Sequence, residues 1–306
     1  GLGNQFLDAL TDADAILSVI DAAGETNAQG EPVEVGAYDP IEEAGFVEAE
    51  LEQWLAGIVA GNWETVVRKS RSPDFDIDDA LTEMLTGFGA TVYDVAASLR
   101  AVAYPEDPQQ WAADDRERLA RDLRERTKPI VVVANKADVA PDGNVERLRD
   151  GTESPVVAAT ADGELALRTA ADAGAVAYNP GDAEFDVVGE VSGAQREGLE
   201  TIRDVMAETG GTGVQAAIDT AVYDTLDMIT VYPVQNETRW TDGSGETLPD
   251  AVLLPQGSTP TDLAYAVHSD IGDGYLHAVD ARSDRRIGED HELTEGDVVK
   301  VVSTAN

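Results

Sequence analysis

Apolar and polar positions follow different patterns along the chain, and each pattern predicts a different kind of element. Residues 15–20 and 130–134 are short, nearly uninterrupted apolar runs, as in strands buried on both faces of a parallel sheet. Between them, apolar residues recur at helical spacing from about residue 41 to residue 103, and Pro73 with the acidic segment 74–79 breaks this region into at least two helices. We therefore expect a helical arm inserted between two strands of one sheet.

After residue 113 the pattern alternates between helix and strand, which is typical of a parallel sheet with crossover helices. The predicted elements are a charged helix at 114–126, the strand at 130–134, a helix near 143–149, a strand at 155–159, and helical stretches at 160–173 and 195–227. The sequence therefore predicts an α/β fold for this part of the chain.

From residue 228 the pattern changes to short strands that are separated by turns. A helix is predicted to begin at Thr259, with Thr as N-cap, Pro260 at the first helical position and Asp262 at the third. Pro233 suggests that the first of these strands lies at a sheet edge. The predicted strands are residues 228–235, 251–254, 275–281 and 297–302. Two strands, a helix and two strands predict a small β-grasp domain, as in ubiquitin.

Composition adds a strong excess of acid to this picture. The chain has 60 Asp and Glu against 21 Lys and Arg, a formal net charge of −39. The acidic residues are spread along the whole chain, so they do not form a disordered tail. We favour a surface adapted to high salt, as in halophiles, and the alternative is a surface that binds cationic partners. Because the charge can reflect the solvent, it does not exclude a nucleic-acid partner.

The sequence also excludes several classes of site. It contains no cysteine, and therefore no disulfide, thiolate metal site or cysteine nucleophile. No apolar run approaches the roughly 20 residues that are needed to span a bilayer, and no signal peptide opens the chain. We expect a cytoplasmic monomer without a membrane partner, and we assign no metal ligand and no catalytic residue.

The strand at 130–134 ends at Asn135-Lys136-Ala137-Asp138, which has the N-K-x-D form with which G proteins recognise guanine. A carboxylate at the end of a parallel strand can accept hydrogen bonds from guanine N1–H and the exocyclic amine, and its charge strengthens both. Adenine lacks this pair of donors and would leave the carboxylate unpaired. Asp138 would make this contact, Asn135 would bond the base and hold neighbouring loops, and the aliphatic part of Lys136 would cover the face of the base.

A second short motif supports this interpretation. Thr160-Ala161 follows the strand at 155–159, where G proteins carry a Ser/Thr-Ala element whose backbone N–H contacts the base. The alternative is that residues 135–138 are an ordinary turn. The buried valine run before the motif and the Thr-Ala pair after the next strand favour guanine recognition.

The phosphate-binding motif of such proteins is absent from the sequence. No G-x-x-x-x-G-K-[ST] occurs in the 306 residues, and the chain begins with Gly1. We expect that a front end is missing, which the coding sequence upstream would settle. Asp21-Ala-Ala-Gly24 spells the D-x-x-G motif that senses γ-phosphate and Mg²⁺. We interpret it as a coincidental match, because a helix predicted at 4–14 precedes it and in G proteins that helix follows the motif.

In combination, four stretches resemble the YchF (Obg-like) GTPases of the TRAFAC class in their archaeal form. The last of them resembles the TGS domain, a β-grasp module of translation proteins. The stretches are residues 1–7 with the strand that ends at Asp21, residues 131–138, residues 159–167, and residues 248–265 with His268.

The resemblance implies an incomplete P-loop-type G domain with an inserted arm, followed by a TGS domain. Residues 1–21 and 114–205 would be the G domain, residues 22–113 the arm, residues 206–227 a helical connector, and residues 228–306 the TGS domain. Family members hydrolyse nucleoside triphosphate with Mg²⁺ and associate with ribosomes, and the intact N-K-x-D implies GTP. Because the phosphate loop and switch motifs lie upstream in the family, this chain alone should not hydrolyse GTP efficiently.

A different class of function remains open. Arg282, Arg285 and Arg286 form the only basic cluster of the C-terminal domain and are a possible RNA contact. The alternative for these residues is a turn whose arginines form ion pairs. The chain could then be a non-enzymatic adaptor that binds the ribosome or RNA through its arm and TGS domain.

Overall fold

The computed structural model describes residues 10, 12–27 and 29–304. The stretch 1–7 therefore lies outside the described residues, as does most of the helix predicted at 4–14. The chain divides into two compact units, Gly1–Ala221 and Val222–Asn306, which are described separately below. Among the described residues, no helix combines the length and the apolar character that crossing a membrane requires.

A parallel three-stranded sheet forms the centre of the first unit. Its strands are β1 (Ile16–Asp21), β2 (Ile130–Asn135) and β3 (Val156–Ala158), in the spatial order β1-β2-β3. Asp21 pairs with Asn135, and Ala134 pairs with Ala158. The predicted parallel sheet is confirmed, and the carboxyl ends of all three strands meet at one edge.

Four helices lie between β1 and β2 in the chain. They are α1 (Pro40–Lys69), α2 (Ile77–Leu85), α3 (Val92–Ala101) and α4 (Ala113–Thr127), with 3₁₀ turns at Thr86–Phe88 and Pro108–Gln110. α1 buries Leu51, Leu55, Val59 and Trp63, which lie four positions apart on one face. Leu51 packs into the core beneath the sheet, whereas the other three pack into a separate helical core. One long helix therefore joins the sheet to the helical segment.

After β2, helices and strands alternate in the first unit as predicted. One antiparallel pair of strands was not predicted. It consists of β4 (Val176–Ala177) and β5 (Asp186–Val187), because strands of two residues are too short to show a period. The helices are α5 (Asn144–Gly151), α6 (Ala161–Asp172), α7 (Gly193–Thr209) and α8 (Val214–Asp219), and a π-helical turn follows at Thr220–Thr225.

The second unit is a mixed five-stranded sheet with two short helices. The strands are β6 (Met228–Pro233), β7 (Val252–Pro255), β8 (Tyr275–Asp280), β9 (Arg285–Ile287) and β10 (Val298–Ser303), in the order β7-β6-β10-β8-β9. The helices are α9 (Pro260–Val267) and α10 (Ser269–Asp273). Only β6 and β10 run parallel to each other.

Two details of the second unit differ from expectation. The inference from Pro233 that β6 is an edge strand is wrong, since β6 lies between β7 and β10. Pro233 is tolerated there because it is the last residue of the strand, and the next ladder bond is donated by Val234 to the Val299 carbonyl. The helix predicted to run to about residue 271 is interrupted at His268, whose backbone is extended.

Candidate functional site

The loops after β2 and β3 are joined by two hydrogen bonds. The Asn135 side-chain Oδ1 accepts the backbone N–H of Ala161 at 3.0 Å. The Ala137 N–H donates to the Ala159 carbonyl, also at 3.0 Å. Both loops follow adjacent parallel strands, which explains why residues far apart in sequence meet here. The structure thus places Asn135 and Ala161 in contact, and the Ala161 backbone N–H, which was expected to contact the base, donates to Asn135.

Thr160 is 1% exposed and holds its loop in two ways. Its hydroxyl accepts the Gly163 N–H at 3.2 Å and so caps α6. Its own N–H donates to the Thr212 carbonyl at 2.9 Å, which ties the loop to the segment after α7. The hydroxyl of Thr160 is therefore used within the fold, and its backbone position is fixed.

A buried carboxylate that the sequence did not single out lies one turn further along α6. Glu164 is 6% exposed, and its Oε2 accepts the hydroxyls of Tyr178 and Thr212, both at 2.6 Å. Its Oε1 accepts Arg168 Nε at 2.5 Å. Burial acts to raise the pKa of Glu164, but the bonds from Thr212, Tyr178 and Arg168 outweigh burial and lower this pKa below its ordinary value. The sequence signal was weak, because an acid in the first turns of a helix is ordinary.

Asp138 presents the opposite situation. Its side chain is partly exposed, and within the described part of the chain its carboxylate accepts no hydrogen bond. Asp138 borders a cavity of about 630 Å³ that lies between α5, β3 and α7. Asn135, Lys136, Thr160 and Ala161 do not line this cavity, so the cavity does not outline a pocket shared by all the predicted residues. The Asp138 carboxylate is nonetheless available to donors from outside the protein.

Lys136 adopts a left-handed backbone conformation, with φ of 62°. Its ammonium donates to Asp21 Oδ2 at 3.0 Å and to Glu25 Oε1 at 2.9 Å. The bond to Glu25 contributes most to raising the pKa of Lys136, and the bond to Asp21 adds to it. The contact of these three charged groups was not predicted from the sequence, because Lys136 is 111 positions from Glu25 and 115 from Asp21.

Asp21 itself is 8% exposed and lies at the end of β1. Its second oxygen, Oδ1, accepts the Ala23 N–H at 3.0 Å. Burial acts to raise the pKa of Asp21, but hydrogen bonds, the strongest from Lys136, lower it below its ordinary value. Both carboxylate oxygens of the D-x-x-G sequence are therefore used inside the protein.

The three arginines of the second unit differ in their surroundings. Arg282 donates to the Gly296 carbonyl at 2.7 Å, and its guanidinium lies 5.3 Å from the ring centre of Trp240. Arg285 and Arg286 belong to β9 and are exposed, and within residues 222–304 neither forms an ion pair. The arginines are therefore not held by acidic neighbours, although one of the three is engaged with the backbone.

Comparison with known proteins places these features in a family. Residues 133–236 match the domain described as "Obg-like GTPase YGR210-like, G4 motif-containing domain", and residues 245–303 match the TGS domain. An uncharacterized GTP-binding protein of Methanocaldococcus jannaschii is 40% identical over 308 residues, which cover 100% of this chain and 77% of that protein.

Two solved structures are similar to this chain. The crystal structure of a GTP binding protein from Pyrococcus horikoshii OT3 has 37% sequence identity and a TM-score of 0.79, covering 98% of this chain and 81% of that one. The YchF GTPase of Schizosaccharomyces pombe, at 15% identity and a TM-score of 0.53, covers 99% of this chain and 75% of that one and shares the fold. This chain therefore belongs to the Obg-like GTPase family, in its YGR210-like group with a C-terminal TGS domain.

Proposed function

We propose that this chain recognises the guanine base of GTP through Asn135, Lys136 and Asp138, with the Thr160-Ala161 loop as their support. The observation that carries the proposal is the Asp138 carboxylate, which is free of protein donors in the described residues although its loop is held firmly by the loop after β3. A fixed acceptor without a partner is suited to a ligand that brings its own donors.

The chemistry of these groups favours guanine over adenine. Asp138 offers two acceptor oxygens, which match guanine N1–H and the exocyclic amine, whereas adenine presents no such pair. Asn135 Oδ1 is taken by Ala161, so its amide nitrogen is the group left to donate to the base. An adenine at this position would leave the carboxylate desolvated and unpaired, which is the source of selectivity.

Hydrolysis of GTP needs groups that bind the phosphates and Mg²⁺ in addition to those that bind the base. The 306 residues contain no phosphate loop, and within the described ranges no three His, Asp or Glu side chains lie together as metal ligands. Each oxygen of the Asp21 carboxylate already accepts a hydrogen bond within the protein. We expect Mg²⁺ to bind only together with the upstream phosphate loop of the family, and the 306-residue chain alone to release no phosphate from GTP above background.

The domain boundaries and the cellular setting belong to the same proposal. Residues 1–21 and 114–205 would bind nucleotide, residues 22–113 would be the arm, residues 206–227 the connector and residues 228–306 the TGS domain. The protein would be a cytoplasmic, salt-adapted monomer that associates with the ribosome.

The test is a nuclear magnetic resonance titration of the ¹⁵N-labelled chain in molar KCl with GMP and, separately, with AMP. Millimolar ligand reveals weak binding even without phosphate contacts. We expect GMP to shift the amide signals of residues 135–138 and 160–161, and AMP to shift them much less. Equal shifts with AMP, or no shifts with GMP, would contradict the proposal.

The second candidate function, RNA binding by the TGS domain, rests on the exposed Arg285 and Arg286 of β9. Each arginine that contacts a phosphate of single-stranded RNA should change the slope of log K against log salt by about 0.7. Replacing both with glutamine should therefore lower the slope by about 1.4, as measured by fluorescence anisotropy at several KCl concentrations. Arg239→Gln, which removes another exposed arginine of the same unit, is the control. An unchanged slope in the double variant would exclude this surface.

A further inference from the structure

We propose that Asp21 and Glu25 are positioning residues for Lys136, holding its ammonium at the end of β1 so that its aliphatic part stays in place to cover a bound base. This inference rests on the proposed guanine recognition. It gives a role to Asp21, the acid of the D-x-x-G sequence, which otherwise has no part in the site.

The two carboxylates hold the same ammonium from neighbouring positions of one turn. Lys136 Nζ lies 3.0 Å from Asp21 Oδ2 and 2.9 Å from Glu25 Oε1, with Thr26 Oγ1 at 3.5 Å. Asp21 is almost fully buried, whereas about a third of the Lys136 and Glu25 side chains is exposed. The buried carboxylate therefore provides the fixed end of the contact, and the exposed one supplements it.

The backbone around Asp21 is itself held firmly. The Ala22 N–H donates to the Asn135 carbonyl, and the Ala22 carbonyl accepts the side chain of Asn144, both at 2.9 Å. Gly24 has φ of +61°, and a Cβ at this position would lie 2.2 Å from the Tyr38 carbonyl oxygen. The turn after β1 is thus hydrogen-bonded and closely packed at its backbone, which gives the Asp21 carboxylate a defined position relative to Lys136.

The physical advantage is preorganisation. A lysine side chain has a flexible stem of four carbons. An unrestrained lysine side chain would lose rotamer freedom when it covers a base, and this loss opposes binding. When Asp21 and Glu25 already restrain the ammonium, much of that cost is met during folding and not during binding. The contribution concerns the face of the base, whereas Asp138 reads its edge, so the two effects can be separated by experiment.

The experiment measures GMP and IMP binding in molar KCl for Asp21→Asn and Glu25→Gln, by the same amide-shift titration. IMP lacks the exocyclic amine of guanine but has the same ring face. We expect both variants to bind GMP and IMP about three- to tenfold more weakly, with the ratio of the two affinities unchanged. Glu31→Gln, which removes one negative charge from the same loop without contacting Lys136, is the matched control and should bind like the unmodified protein.

A double-variant cycle separates positioning from a merely structural role. Lys136→Met keeps the apolar chain but has no ammonium to hold, so Asp21→Asn or Glu25→Gln should have no further effect on binding in that background. Loss of affinity that persists in the Lys136→Met background, or that equals the effect of Glu31→Gln, would overturn the inference. If Asp21→Asn does not fold, Glu25→Gln carries the same test at a more exposed position. Failure of the unmodified chain to bind GMP would instead contradict the proposed function.

Discussion

Two carboxylates near the same edge of the parallel sheet have opposite surroundings. Glu164, on α6, is buried and accepts three hydrogen bonds from side chains of the fold. Asp138, after β2, is partly exposed and accepts none within the described residues. A buried carboxylate is stable only when the fold supplies hydrogen-bond donors, whereas a partly exposed carboxylate can be hydrated by water until a ligand binds. The difference supports the proposal that Glu164 stabilises the loop after β3, whereas Asp138 binds the ligand.

The largest expected effect is on stability, from Glu164→Gln. The glutamine NH₂ group would face donors that now bond to a carboxylate, so we expect the free energy of unfolding to fall by about 2–4 kcal/mol. Urea unfolding in molar KCl, followed by circular dichroism, measures this change. Asp162→Asn is the matched control, since it removes an exposed acid from the first turn of the same helix and should cost less than about 1 kcal/mol. Equal losses of unfolding free energy in Glu164→Gln and Asp162→Asn would show that the hydrogen bonds of the buried Glu164 carboxylate do not stabilise the fold more than an exposed acid does.

Asp138→Asn should act on ligand preference and leave stability almost unchanged. An amide offers one acceptor and one donor, which match the N1–H and the C2 carbonyl of xanthine instead of the two donors of guanine. We expect GMP binding to weaken at least about tenfold and XMP to become the better ligand. Amide-shift titrations with both nucleotides measure this reversal. A variant that still prefers GMP would show that Asp138 does not read the base edge.

Tyr178→Phe removes one of the three donors to Glu164 and so measures the contribution of a single buried hydrogen bond. The carboxylate keeps Thr212 and Arg168, so the free energy of unfolding should fall by about 1 kcal/mol, less than for Glu164→Gln. Tyr93→Phe is the control, because Tyr93 is 82% exposed. Urea unfolding of both variants provides the measurement, and a Tyr178→Phe protein as stable as the control would mean that the buried bond contributes nothing.

The smallest expected effect is on pH dependence. Because the pKa of Glu164 is lowered in the folded protein, its stabilising contribution is complete above the ordinary value of 4.5 and is lost as pH falls through the folded value. At pH 4.5 half of the unfolded chains are protonated at this group, so the native protein's advantage over Glu164→Gln should shrink, by at most about 0.4 kcal/mol relative to pH 7. Urea unfolding at pH 7, 5.5 and 4.5 measures it. An advantage that grows on acidification would contradict the lowered pKa.

The residues that we propose to read the base could be predicted from the sequence, because each follows a strong local signal. A buried valine run predicts β2, and the polar residues that end it must lie at the carboxyl edge of the sheet. The Thr160-Ala161 pair follows β3 for the same reason. The bonding of Asn135 to Ala161 then follows from strand adjacency, which the alternation of helices and strands predicts.

The residues that support the site were not accessible in this way. The buried cluster combines three separate segments, through Glu164, Tyr178 and Thr212. Glu164 does not stand out because it is one of 60 Asp and Glu residues, and no local motif marks the tyrosine or the threonine. Asp21 was interpreted from the sequence as a coincidental D-x-x-G match, and its contact with Lys136 was not predicted, because the two residues are 115 positions apart.

From the sequence pattern we could predict the parallel strands, the helical segment, the C-terminal β-grasp fold and the N-K-x-D motif, because each depends on period, capping or short-range spacing. Only the folded chain shows which acids of the described residues accept hydrogen bonds within the protein, and where the ammonium of Lys136 is held. The physical reason is that pairing between charges more than 100 positions apart depends on which loops the folded sheet brings together, and local sequence carries no information about that distance.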